Sequence, residues 1–363
     1  MFIRSRIRER AWAFAFLVMI FQGGLLRAGE GGTPTFADLA TPVSTSESFR
    51  PFGAYFKPNE PYPARALPVF QAAPEGAYVS VGTERGFIGA ALSPRVTHLI
   101  LVDRDVGINN YNRINVLLLR MAKDIADYRR LRLQPEIDEW ISRAGEAALT
   151  EVDQQMLREY FGVWKSDVVN NSSFRAFHKE PSDSGSKFYG ANYLWNEELF
   201  ARIQTFAKEG RISVGNLDFS RTDAVQAVAK EIEGMGVKLS VLDISNAWWS
   251  VYLKKSDLEK VLAAFDRIAH PESLLLVTEG PSLSFVFQMI IDGALPWFYQ
   301  GFTFGRIRSY SSYSAFLTAL KIGTFFSVGQ VYPKTQIDPG GWMKHVGRCL
   351  GFLKSPGRMG VIF

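Results

Sequence analysis

The chain predicts an α/β fold built on a doubly wound, mostly parallel sheet, and three observations carry that prediction. Short apolar runs of β-favouring residues alternate with amphipathic stretches from about residue 76 onward. Several runs close on an acid or a glycine, as at Gly82, Asp103 and Asp218. The first run opens into a glycine-bracketed turn and a short helix before the second run begins, which is how a nucleotide-binding unit starts.

The elements follow in order. Ala77 to Val81 reads as a buried strand, and Gly82-Thr83-Glu84-Arg85-Gly86 as the turn. Phe87 to Leu92 reads as a helix stopped by Ser93-Pro94, because proline disfavours helix in the residue before it. Thr97 to Val102 is the second strand, closing on Asp103 and Asp105. Ile114, Leu117, Leu118, Met121 and Ile125 recur at helical spacing. From about residue 131 to 193 come two helical pieces, EIDEWISRAGEAAL and EVDQQMLREYFGVW, then the polar Ser182 to Ser186. This stretch predicts a helical insertion between strands two and three, with its Gly/Ser loop placed as a lid or as peripheral decoration. Glu197 to Lys208 is a helix ended by Gly210. Strand three runs from Arg211 to Leu217, a helix from Thr222 to Met235, and strand four from Val237 to Ile244. Ser256 and Glu259 predict a capping box opening a helix to Ile268, and Ser273 to Val277 is strand five. The tail predicts one or two closing strands and a helix near Tyr313 to Leu320.

The spacing argues against a dinucleotide fingerprint, which needs glycines at the first, third and sixth places. Counted from Gly82, those places hold Gly82, Glu84 and Phe87. Ser80-Val81-Gly82-Thr83-Glu84-Arg85-Gly86 instead resembles motif I of the class I S-adenosylmethionine (SAM) dependent methyltransferases, acid-x-Gly-x-Gly-x-Gly. Ser80 stands for the acid and Glu84 for the middle glycine. The resemblance covers residues 76–280 and is nearest to a methyltransferase-like group. It implies a Rossmann-like fold that binds SAM through Ser80, Gly82, Thr83, Glu84 and Gly86. It further implies Asp103 on the ribose, Asp218 near the adenine, and Asp243 to Trp248 facing donor and acceptor. Asp243 and Asn246 are the catalytic candidates, and Trp248 or Trp249 are candidates for stacking as well as for core packing.

The N-terminus is a separate matter. Residues 1–28 begin MFIRSRIRER and continue into AWAFAFLVMIF, a basic then apolar pattern that predicts a cleavable export signal, with an uncleaved anchor as its rival. The chain is therefore expected to be periplasmic or secreted, or membrane-anchored if the leader is retained. Residues 29–75, rich in Gly, Pro, Ser and Thr, predict an extended linker or arm, and residues 76–363 the domain.

The leader holds five arginines and one glutamate, a net of +4 out of the whole chain's +5. The remainder, near +1, gives no electrostatic case for nucleic acid, so a small-molecule ligand is the expected partner. The four histidines show no metal-ligand spacing, and neither a P-loop nor a Gly-x-Ser-x-Gly elbow occurs. Against the enzyme reading stands a second one, an exported binding module without catalysis on a methyltransferase-like fold.

Overall fold

Seven strands form one sheet in the order β3-β2-β1-β4-β5-β6-β7. They are β1 (Gly76–Val81), β2 (Val96–Asp103), β3 (Ile212–Asn216), β4 (Leu239–Ser245), β5 (Ala269–Glu279), β6 (Gly301–Arg306) and β7 (Phe326–Val328). β1 to β5 pair in parallel, while β6 runs antiparallel to both β5 and β7. The fold is therefore α/β on a mostly parallel sheet. The computed structural model describes residues 34–40, 56, 58, 63–247, 253–279, 301–306 and 326–328. All of these lie in one compact unit, Pro34–Phe363. The leader and the helix expected near Tyr313 to Leu320 lie outside the described residues.

The pleat of the central strands explains why helices cover both faces. Successive side chains of a strand point to opposite sides. Ala77, Val79 and Val81 of β1 join Ile100 and Val102 of β2 in one buried cluster, and Tyr78, Leu99 and Leu101 join another. The first cluster is closed by α1 (Phe36–Ala40), α10 (Thr222–Gly234) and α11 (Lys255–Ile268). The second is closed by α2 (Leu67–Ala72), α3 (Glu84–Leu92), α4 (Val106–Met121) and the helices that follow them to β3. Those are α5 (Ile125–Leu133), α6 (Ile137–Glu146), α7 (Glu151–Val163), α8 (Ser172–Phe177) and α9 (Glu197–Lys208), with a π-turn, Trp164–Val168, continuing α7.

Several boundaries differ from the sequence expectation for identifiable reasons. The helix after β1 begins at Glu84, not Phe87, so the turn shrinks to Gly82 and Thr83. Thr150 and Asp153 form a reciprocal capping box at the start of α7. The box expected from Ser256 and Glu259 does not cap α11, which starts two residues earlier behind Lys254 without a side-chain cap. The stretch read as an arm contributes α1 and α2, and buries Phe36, Leu39, Phe56 and Phe70. Phe36 lies over Gly215 of β3, and Arg113 of α4 donates to the Ala40 carbonyl at 2.9 Å, tying α1 over that strand. In the polar loop, Ser182 to Gly185 are exposed and Asp183 accepts from the Gly185 amide at 2.8 Å.

Gly86 sets the depth of α3 on the sheet. A Cβ there would fall well inside contact with Leu101 Cδ2 and stand 3.0 Å from Ser80 Cβ. Helix and strand meet this closely because the position has no side chain. Gly86→Ala is expected to destabilise the protein by about 1–3 kcal/mol, the usual cost of overpacking, measured by urea unfolding.

Candidate functional site

In open α/β sheets a ligand crevice lies beyond the carboxyl ends of the strands, where strand order reverses. Here that point falls between β1 and β4, and it presents Gly82-Thr83, Ser245-Asn246-Ala247 and, one strand over, Asp103. Gly82 has φ +84°, a conformation that favours glycine, and a Cβ built there would meet nothing within 4 Å. The backbone is thus open to close approach. Ser245 also has a left-handed φ of +48°, unusual outside glycine, at the start of the turn that Ala247 closes by donating to the Ile244 carbonyl at 2.9 Å.

Asp103 is half-buried at the end of β2. Its Oδ2 accepts from the Gly82 amide at 3.2 Å and its Oδ1 from the Asp105 amide at 2.9 Å. Burial pushes its carboxyl up to about 6, and the nearby Asp105 charge adds to this against the two amides. Asp105 caps α4 by accepting from the Gly107 amide at 2.8 Å. Asn109 and Asn112, both buried, knit the strand ends together. Asn109 donates to the Asp103 carbonyl and to Asn216 Oδ1, each at 2.7 Å, and Asn112 donates to the Gly82 carbonyl at 2.8 Å.

The two charged residues after the turn point into protein. Glu84 is fully buried, forms an ion pair with Arg132 of α5, and accepts from the hydroxyl of Tyr111 of α4. Its other oxygen accepts from Tyr193 at 2.5 Å. Arg132, also fully buried, donates to the Tyr111 hydroxyl at 2.7 Å and to that of Tyr193 at 3.2 Å. Burial alone would lower the Arg132 guanidinium; Glu84 and the surrounding phenols reverse that and hold it well above its ordinary value. Burial pushes Tyr111 and Tyr193 well above the phenol range, and Glu84's charge adds to the shift. Trp164 stacks on Tyr111 at 5.3 Å and donates to the Arg132 carbonyl at 3.0 Å, sealing the pair.

Arg85 forms a second buried ion pair, Nε to Asp243 Oδ2 at 2.6 Å. Asp243 also accepts from Tyr78 at 3.2 Å and from the Ser245 amide at 3.2 Å. Gly89 makes this possible, since a Cβ there would collide with the Tyr78 hydroxyl. The β1–β4 register sets Ser80 opposite Asp243, so an acid stands beside position 80 on the neighbouring strand.

The candidate residues therefore separate. Gly82, Thr83, Asp103 and Asn246 gather at the crevice, where Asn246 is half-buried on the turn after β4. Ser80 is buried under α3 and donates to the Val81 carbonyl at 3.2 Å, and Gly86 is a packing position. Glu84 and Asp243 are both spent on buried arginines. β3 ends at Asn216, opposite Asp103, so Asp218 falls two residues beyond it, where it accepts from the Ser220 amide at 2.9 Å. Trp248 and Trp249 lie outside the described residues. Sequence reasoning missed Arg132, Tyr193, Asn109 and Asn112. The asparagines carried a signal: Asn109, Asn110, Asn112 and Asn115 crowd one apolar helix, and asparagine is a poor helix-interior residue unless its amide is used. Among the described residues, no group of three or more His, Cys, Asp or Glu side chains could hold a metal ion.

Fold and site together define an α/β protein with a topological switch point between β1 and β4 and an acid at the end of β2. The chain belongs to the family described as Domain of unknown function (DUF7790), whose model matches residues 55–272. That span takes in the helices between β2 and β3 as well as the crevice. No curated protein matches the chain.

Two outcomes follow. Arg132→Met leaves Glu84 buried without its cation and is expected to cost about 3–5 kcal/mol in chemical denaturation. Adding Glu84→Gln to it should recover part of that loss, as partners in one pair do. For Asp103, a folded-state carboxyl raised from 3.8 to about 6 contributes stability that is present below pH 3.8 and lost as pH rises through about 6. Asp103→Asn should therefore flatten the fall in stability across that window, read from unfolding curves at several pH values.

Proposed function

We propose that the chain is a SAM-dependent methyltransferase of unidentified acceptor, holding the cofactor at the carboxyl ends of β1 and β2. The observation that carries this reading is the Asp103 carboxylate bonded to the Gly82 amide beside an open, side-chain-free approach. A carboxylate so placed suits the paired hydroxyls of a ribose, and a positive-φ glycine suits close passage of the rest of the ligand. SAM supplies, when bound, a methyl group on a sulfonium, and the protein's share is alignment more than acid–base chemistry.

In this reading Asp103 accepts from the ribose, and Gly82 and Thr83 line the approach. Asn246 is the polar contact on the donor and acceptor side. Asp243 acts by holding Arg85 and, through it, the start of α3. Asp218 caps the chain beyond β3 near the adenine end. The helices between β2 and β3 are an insertion in the Rossmann-like plan, rooted under the turn by Arg132 and Tyr193. The arginine-then-apolar leader supports export or anchoring, and an anchor that leaves the domain on the side where SAM is made reconciles the leader with the cofactor.

A non-catalytic binding module is the second reading. It is favoured by Asp243, whose carboxylate is buried in the Arg85 pair and cannot serve as a base at the crevice. Release of demethylated product from SAM in the presence of a native extract supports the enzyme; binding without release supports the module.

Calorimetric titration with SAM and with its demethylated product checks the site itself. Wild type is expected to bind both. Asp103→Ala should weaken binding about tenfold to a hundredfold, the worth of one or two charge-assisted bonds. Absence of heat with wild type at millimolar ligand removes the cofactor assignment.

A further inference from the structure

At the opposite end of the sheet from the crevice, the amino ends of β2 and β3 border an open groove of 480 Å³. Its size falls in the range of small-molecule sites. Arg95, Arg202 and Arg211 line it, with Glu75 as the only acid on its wall and Phe206 at its side. Arg202 and Arg211 both lie over the Phe206 ring, with guanidinium carbons 5.1 and 4.7 Å from its centroid, so one aromatic ring gathers two cations.

These arginines are fixed by backbone carbonyls more than by acids. Arg202 donates from Nη2 to the carbonyls of Ser93 and Val96 at 2.8 Å and from Nε to that of Ala90 at 3.3 Å. Arg95 donates from Nη2 to the Ala72 carbonyl at 2.7 Å and is otherwise exposed. Arg211 donates from Nη1 to the Thr97 carbonyl at 3.4 Å and forms an ion pair with Glu209. Among the described residues, neither Arg95 nor Arg202 has a carboxylate partner. Two guanidiniums therefore bring positive charge and spare N–H donors to a concave wall without being tied up in ion pairs. Burial lowers Arg202, and the positive charge of Arg211 lowers it further, as that charge also does for His98. The local field is positive although the chain beyond its leader is nearly neutral.

We propose that this groove is a binding site for a small phosphorylated anion, held by Arg95, Arg202 and Arg211. Guanidinium forks match phosphate oxygens in geometry as well as charge. The near-neutral net charge of the chain beyond its leader argues for a small ligand over a polymer. The proposal is independent of the SAM reading, because the groove and the crevice lie at opposite ends of the strands.

The test uses the full chain and inorganic pyrophosphate, followed by calorimetry and thermal shift at low ionic strength. Wild type is expected to bind saturably and to melt higher with the ligand present. Arg95→Ala changes an exposed side chain and should weaken binding about tenfold, the worth of one charge-assisted bond. Glu75→Gln removes the acid from the wall and should tighten binding about threefold, a gain that a damaged fold does not produce. Binding should also weaken as salt is raised. The proposal is overturned if wild type shows no saturable binding at millimolar pyrophosphate, or if Arg95→Ala and Glu75→Gln both bind as wild type does.

Discussion

The buried pair of Glu84 and Arg132 is the constraint on which the rest of this structure turns. A carboxylate and a guanidinium, both removed from water, hold only where geometry is close and the remaining polar atoms are satisfied. Here Tyr111 and Tyr193 supply that satisfaction for all but the Arg132 Nε, and each comes from a different part of the chain. Tyr111 belongs to α4, Arg132 to α5, and Tyr193 to the loop before α9, which Asn192 pins by bonding the Phe177 carbonyl at 2.9 Å. Meeting at the first residue of α3, they make the position of the crevice turn depend on the packing of the helices between β2 and β3. Those helices are thereby part of the same folding unit as the site, in keeping with a family model that spans both.

The strands were legible because buried parallel strands read as short apolar runs, and each one expected from β1 to β5 appears within a few residues of its place. The crevice was legible for the same reason, since strand ends fix where it lies. What could not be read was side-chain direction. Glu84 sits where the motif resemblance has a glycine, and from sequence it belongs to the turn. Only the long-range approach of Arg132, 48 residues on, turns it into the first residue of a helix with its carboxylate inside. Asp243 ends up the same way, claimed by Arg85 across 158 residues. Local pattern carries no information about such partners. The short helices of the arm were missed for a related cause: their stability comes from burial of Phe36, Leu39 and Phe70 and not from helical propensity.

The two buried ion pairs also divide labour around the crevice. With Glu84 and Arg85 drawn to Arg132 and Asp243, the turn offers backbone and not charge. Asp103 is the acid that touches the turn itself, through the Gly82 amide, and burial lifts its carboxyl toward neutrality. A site of this kind discriminates by hydrogen bonding and shape, with one carboxylate of adjustable charge as its polar anchor. Such an anchor suits hydroxyl donors on a ligand.

Helix α3 shows why so many polar clamps are needed. It is nine residues long and contains Gly86 and Gly89, each of which weakens a helix by about 1 kcal/mol relative to alanine. Both glycines are required for its depth on the sheet, Gly86 against Leu101 and Gly89 above the Tyr78 hydroxyl. Propensity cannot hold such a helix, so its ends are fixed from outside. Glu84 and Arg85 fix the first turn through buried charges. Arg202 fixes the last by donating to the carbonyls of Ala90 and Ser93, adding a second donor to each beside the backbone amides of Ser93 and Val96. The same arginine lines the basic groove. α3 therefore runs from the crevice turn at one end to the groove at the other. Arg202 thus both holds the helix end and lines the groove, so the two ends of the sheet share one mechanical element.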